Sequence, residues 1–233
     1  MIATTQRSSM KYYISSTLFK RTLLPELTTK NAAIVEAMLL FNPKYKKQMT
    51  GAIGSSGDLI KKTSASSITL TELVDILKKI DYEYSTKTSM CLKSPKAIVF
   101  IANYIFSKIT PIVFYNRLFH GDKQLVVEIA NCTKTKYGKC VLSFASKICR
   151  CFCFWTFIGK KQADNYIIYD SVVKKSLSNY LDLMMIKTSY RFENYIDYFN
   201  AFEVIRKTAR AFFGQKRYIS RNAMDHIIWY LMK

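Results

Sequence analysis

Helix-start signals recur along this chain, and very little of it alternates in the way a half-buried strand must. Thr69-Leu70-Thr71-Glu72 reads as a capping box ahead of LVDILKKI, with the Thr69 hydroxyl and the Glu72 carboxylate each closing an otherwise open amide. Ser94-Pro95 places a cap and a proline before KAIVFIANYIF, and Thr110-Pro111 repeats the device before IVFYNRLF, which stops near Gly121. Apolar residues recur at helical spacing over 31–41, 123–131, 171–185, 196–213 and 221–232. KYYISSTLF near the N-terminus and NYIIYD before Asp170 are aromatic or β-branched but isolated, so extended segments that need not pair are expected there. The expected fold is mostly α.

A chain of 233 residues with 49% hydrophobic content can bury one large core or two lobes sharing an interface. Its 36 lysines and arginines against 16 acidic residues leave a formal charge of +20, which calls for a polyanionic partner. Nucleic acid is the first candidate and an acidic membrane surface the second. The basic residues are dispersed as pairs and triplets, among them Lys44, Lys46 and Lys47, Lys61 and Lys62, Lys160 and Lys161, and Lys174 and Lys175. That distribution fits a folded surface following a phosphate backbone better than it fits a basic tail. Six cysteines, two histidines and an opening stretch, MIATTQRSSMKYYISS, without an apolar run lead to an expected cytoplasmic location. VFIANYIF is too short to cross a bilayer and is expected to be a buried helix, so no membrane partner is expected.

TGAIGSSGDLIKKTSASS, residues 50–67, is rich in glycine and serine and is expected to be a mobile loop. It is not a phosphate-binding loop, because Ile60 and Lys61 stand where a glycine must precede the lysine. On a helix, Cys149 and Cys153 share a face while Cys151 turns away, which favours buried thiols over a metal site. His120 and His226 lack ligand-spaced neighbours. No metal and no cofactor are expected.

The segment LSFASKICRCFCFWTFIGKKQADNYIIYD, 142–170, carries the chemistry. Val141 and Leu142 are expected to close one helix, Ser143–Ser146 to form a tight hairpin, and Lys147 to open an apolar helix ending with Phe152, Phe154 and Trp155. Hairpin amides and a helix N-terminus can hold a phosphate without reading sequence. Ser143, Ala145 and Ser146, with Lys160, Lys161 and Lys174, are therefore candidate DNA contacts. Asp170 begins the next helix, as a cap or as a catalytic carboxylate.

This order of hairpin, lysine, apolar helix, extended aromatic run and aspartate resembles the helix-hairpin-helix DNA glycosylases, and in particular their 8-oxoguanine glycosylase branch. The resemblance covers about residues 139–180. It implies a two-lobed helical fold in one compact unit over 1–233. A helical lobe would span 69–170, with its hairpin in 139–155, and the N-terminal segment would join 171–233 in the second lobe. It further implies that Lys147 is the nucleophile and Asp170 the catalytic carboxylate, acting on a base rotated out of double-stranded DNA. Trp155, Tyr169, Phe212 and Trp229 are the aromatics that could line the base pocket. Ser143-Phe144-Ala145-Ser146 replaces the family's Gly-x-Gly, and no cysteine follows Cys153, which excludes the iron–sulfur branch.

The short chain also resembles the bacterial antiviral glycosylases that remove glucosylated hydroxymethylcytosine from phage DNA. Excision of an 8-oxoguanine-type base, with or without strand cleavage, is the alternative substrate expectation. A helix-rich nucleic-acid-binding module without catalysis is the alternative in kind, since charge and a hairpin suffice for it. No obligatory protein partner is expected.

Overall fold

The computed structural model describes residues 12–17 and 20–233, so most of the opening stretch read above lies outside the described residues. The described chain is mostly helical, as its start signals require. Its contacts fall into two units, Met1–Asn42 with Tyr169–Lys233, and Pro43–Ile168.

In the first unit, β1 (Tyr12–Thr17) pairs antiparallel with β2 (Lys20–Pro25), Thr17 opposite Lys20 and Tyr12 opposite Pro25. Pairing was not required by the sequence, and the partner that this segment finds, LysArgThrLeuLeuPro, shows too little alternation to announce itself as a strand. Helix α1 (Thr29–Phe41) follows, its cap Thr28 accepting the Asn31 amide. The rest of the unit is α11 (Ser171–Leu183), α12 (Tyr195–Phe212) and α13 (Arg221–Met232), numbered in chain order. Asn194 and Ser220 cap the last two through their side chains. Val35, Val173, Leu177, Phe202, Ile205 and Ile227 are fully buried and form the core. Tyr180, also fully buried, spends its hydroxyl on the Pro25 carbonyl at 2.6 Å, which ties α11 to β2. Glu203 accepts from Arg206 and Arg221, at 2.9 and 2.8 Å to Oε1. Burial pushes its carboxyl up, but those two guanidinium groups outweigh it and hold the group below the usual range.

The second unit is helical throughout. It runs through α2 (Pro43–Thr50), α3 (Ser56–Lys61), α4 (Leu70–Glu83), α5 (Thr88–Cys91) and α6 (Ala97–Tyr104), which continues as one π-helical turn, Ile105–Ile109. Then come α7 (Pro111–His120), α8 (Gln124–Asn131), α9 (Lys134–Tyr137), α10 (Leu142–Thr156) and a 3₁₀ turn, Lys161–Asp164. This unit begins at Pro43, ahead of residue 69, and takes in α3, which packs on both α4 and α10. The Thr69–Glu72 capping box is formed in both directions. Pro111 opens α7 as expected, but Thr110 before it stands at φ 68° and makes no side-chain capping bond; α6 starts at Ala97, two residues beyond Pro95.

The stretch expected to be a mobile loop holds α3. Ser55 caps it by accepting the Asp58 amide, and Ser55, Ser56 and Gly57 are buried. Gly57 is needed there, because a Cβ would collide with the indole of Trp155. The helix is selected by a tertiary contact that composition cannot display. No single described helix is long and apolar enough to cross a membrane. The pair Ala97–Ile109 and Pro111–His120 would pass together by length and composition, but it is bent by 87°. Ile101, Ala102, Phe114 and Leu118 on this pair are buried, in keeping with the expected core role.

Candidate active site

Helix α10 is the centre of the second unit. Residues Phe144–Cys153 are all buried, so the helix is enclosed on every side. This overturns the expected hairpin at Ser143–Ser146, which lies inside the first turns of α10. Ser146 is fully buried and bonds its hydroxyl back to the Ser143 carbonyl at 2.9 Å, a local option that lets serine serve a helix as well as a turn. Ala145 is likewise fully buried, with its amide bonded to the Val141 carbonyl. Neither side chain can meet a phosphate, and both are removed from the DNA contacts.

The connection that does reverse the chain is 132–141, between α8 and α10. These two helices pack on each other, Gly138 turns at φ +67°, and the Val141 amide returns to the Ala130 carbonyl at 3.2 Å. Thr133, fully buried, clasps the loop by donating to the Lys139 carbonyl at 2.6 Å. A glycine at positive φ is therefore present, upstream of the position where it was sought. Lys147 sits in the second turn of the helix that follows. It is only 7% exposed, and its Nζ donates to the Ser143 hydroxyl at 2.9 Å.

Arg150, one turn on, is also buried. Its guanidinium lies 4.5 Å from the Phe154 ring centre and donates to the Ala163 carbonyl. Trp155, expected in a base pocket, packs instead over Gly51 and Gly57, with Lys61 Nζ 4.9 Å from its ring. It is a core residue, and its pocket role is corrected. Lys160 and Lys161 are exposed beyond the end of α10.

Enclosure of α10 also fixes its thiols. Burial pushes Cys151 and Cys153 up to about 11 and Cys132 to about 12, and it holds Cys149 well above the ordinary thiol value. These four stay as thiols at neutral pH, whereas Cys91 and Cys140 are exposed. Titration of the native protein with a disulfide reagent at pH 7.5 is expected to show two fast-reacting thiols out of six, with the rest appearing only on unfolding. Four fast thiols would contradict the packing of α10.

Asp170 belongs to the first unit, at the N-terminus of α11. Its backbone is extended, at φ −122° and ψ 143°, and its Oδ1 accepts the Val172 amide at 2.8 Å while its carbonyl accepts from Lys174. The second carboxylate oxygen accepts no hydrogen bond among the described residues. Tyr198 of α12, fully buried, accepts the Asp170 amide on its phenol oxygen and packs edge-on against Tyr169 with centroids 4.9 Å apart. Burial holds this phenol well above its ordinary value, and the charge of Asp225 on α13 adds to the effect. Asp225 is itself buried, at 7% exposure. Tyr169 donates to the Phe192 carbonyl at 2.7 Å.

The cap residue is thus held by the α11 amide and by Tyr198 of α12, while the charge of Asp225 on α13 acts on that phenol. Sequence reasoning missed Tyr198 among the many aromatics of α12. Asp225 was more legible, as a carboxylate set among the apolar residues of AlaMetAspHisIleIle. Lys174 lies near Tyr169, Nζ to hydroxyl 3.4 Å, and pairs with Glu193 at 3.6 Å. Phe212 is exposed at the far end of α12, edge-on to Phe213, and Trp229 on α13 lies under Lys233 Nζ at 4.6 Å. Lys147 and Asp170 belong to different units.

Comparison with family models, with curated proteins and with solved structures found no match to this chain.

Proposed function

We propose that the protein is a DNA glycosylase of helix-hairpin-helix type, with Asp170 as its catalytic carboxylate. The observation that carries this reading is the state of Asp170: a half-buried carboxylate with one oxygen anchored on a helix amide and the other accepting no hydrogen bond among the described residues. Breaking an N-glycosidic bond sends the bonding electron pair out with the base and leaves positive charge on the deoxyribose. A carboxylate fixed before the reaction can stabilise that charge without reorganising. The packed pair α8 and α10 around 132–141, with Lys147 in the second turn of the later helix, supports the same reading. The +20 charge supplies the attraction to duplex DNA, and Lys160 and Lys161 are exposed to serve it.

Lys147 is assigned the attacking amine, a role that requires the turn burying its Nζ against Ser143 to open, whereas the role of Asp170 stands without it. With the amine as nucleophile, C1′ would pass to a Schiff base and the strand could be cleaved; with water as nucleophile, an abasic site would be the product. A glucosylated cytosine is the proposed base, with an 8-oxoguanine-type purine as the second substrate class. The test is a panel of duplexes carrying glucosylated, oxidised, deaminated or alkylated bases, scored for alkali-labile sites. Cleavage at one modification supports the reading, and none at any sinks it. Borohydride added to the active pair is expected to trap a covalent complex that Lys147→Ala abolishes. A complex that survives the substitution would remove Lys147 from the role.

A further inference from the structure

The second unit carries a cavity of about 850 Å³ between α2, α4 and α5, remote in sequence from the helix pair just described. Its walls bring in Lys47 from α2, Lys78, Lys79 and Tyr82 from α4, Lys87 from the α4–α5 connection, and Met90 from α5. On α4, residues 78, 79 and 82 fall on one face, since positions three and four apart are neighbours. Tyr82 is 78% exposed and Met90 72%, so two large apolar side chains stand in solvent between cations. An aromatic face flanked by ammonium groups fits a nucleotide: the ring takes the base and the lysines take the phosphates.

The two acidic residues of the cavity are already used. Glu83 is buried and accepts the Ser56 amide at 3.0 Å and its hydroxyl at 2.5 Å. Asp81 accepts the Thr88 amide at 2.9 Å and the Thr86 hydroxyl. Asp81 thereby clamps a loop in which Ser85 and Lys87 both stand at positive φ, 50° and 51°. Left-handed backbone is costly for residues with a Cβ and persists only where surrounding contacts impose it. Here the clamp fixes the backbone of Lys87 at the cavity wall. Lys78 reaches Asp75 at 3.7 Å, and both side chains are well exposed, so that pair leaves the ammonium accessible.

We infer that this cavity binds single-stranded nucleic acid, with Tyr82 as a stacking platform and Lys47, Lys79 and Lys87 as phosphate contacts. The site is independent of base excision and goes beyond it: it gives the protein a grip on unpaired, unmodified strand. An extruded or displaced strand in a melted duplex would present that chemistry.

The test uses the full chain and fluorescein-labelled oligo(dT), with binding followed by anisotropy over a series of salt concentrations. Lys47→Gln/Lys79→Gln/Lys87→Gln is expected to weaken binding at least about tenfold and to flatten the log–log salt slope by roughly 2, at about 0.7 per single-strand phosphate contact. Tyr82→Ala is expected to cost about tenfold at unchanged slope, since stacking is not an ionic term. A control of equal charge, Lys175→Gln/Lys207→Gln/Lys216→Gln on the first unit, is expected to change affinity less than about threefold. The inference is overturned if the cavity triple falls no further than the control triple, if Tyr82→Ala binds as the wild type does, or if an acidic peptide binds where oligo(dT) does not. Because the probe is unmodified and single-stranded, loss of base excision in any variant leaves this result unaffected.

Discussion

Asp170→Asn is expected to fold, melt and bind duplex DNA as the wild type does, while losing base excision by about a thousandfold or more, or about 4 kcal/mol of transition-state stabilisation. Asparagine caps a helix about as well as aspartate, so its side-chain oxygen can still take the Val172 amide. The brace from Tyr198 uses the Asp170 backbone amide and is untouched by the change. What disappears is the negative charge. Asp170→Ala is the informative companion: it loses the cap as well and is expected to cost about 1 kcal/mol of stability in addition to the activity. Single-turnover excision and thermal melting on the two variants separate cap from catalyst. If Asp170→Asn kept full activity, the residue would be a cap alone.

The largest stability effect is expected at Phe152. It is fully buried on α10, edge-on to Phe114 at 5.3 Å and to Tyr115 at 6.0 Å. Phe152→Ala removes the ring and opens a cavity that enclosed neighbours cannot close, at a cost of about 3–5 kcal/mol. Circular dichroism at 222 nm should show the melting temperature of the second unit lowered by on the order of 10 °C. Phe154→Ala, two residues on, removes a half-exposed ring under Arg150 and is expected to cost about 1 kcal/mol. Equal shifts for the two variants would mean that α10 is not enclosed as described.

What could be read in the sequence was local. The Thr69–Glu72 box and Asp170 are helix starts in the fold because a cap is made within four residues, and Pro111 is one because its fixed φ suits the first helical position. What escaped was decided at a distance. Gly57 looks like loop and sits in a helix because Trp155, nearly a hundred positions later, needs the space. Ser143–Ser146 looks like a hairpin and is helix, because its serines bond along α10 and the reversal is made earlier, at Gly138. Trp155 looked like a stacking residue only while its packing partners were unknown.

The candidate site divides along the same line. Asp170 was legible through its helix and Asp225 carried a signal in its apolar setting, whereas Tyr198 becomes visible only once α12 packs on α11. The strand partner of KYYISSTLF was missed for a related reason: pairing is a property of two segments, and only one of them carried a β pattern. The cavity beside α4 combines both kinds of signal. Its lysines stand in plain view, but the clamp by Asp81 that sets Lys87 beside Tyr82 is a product of folding.

The most direct measurement is the free base itself, followed by mass spectrometry during a single turnover on duplex carrying glucosylated hydroxymethylcytosine or 8-oxoguanine, for the wild type and Asp170→Asn side by side. The account predicts stoichiometric release of one of these bases by the wild type and about a thousandfold slower release by the variant. Release at equal rates, or no release from either DNA under conditions where both proteins bind it, would contradict it.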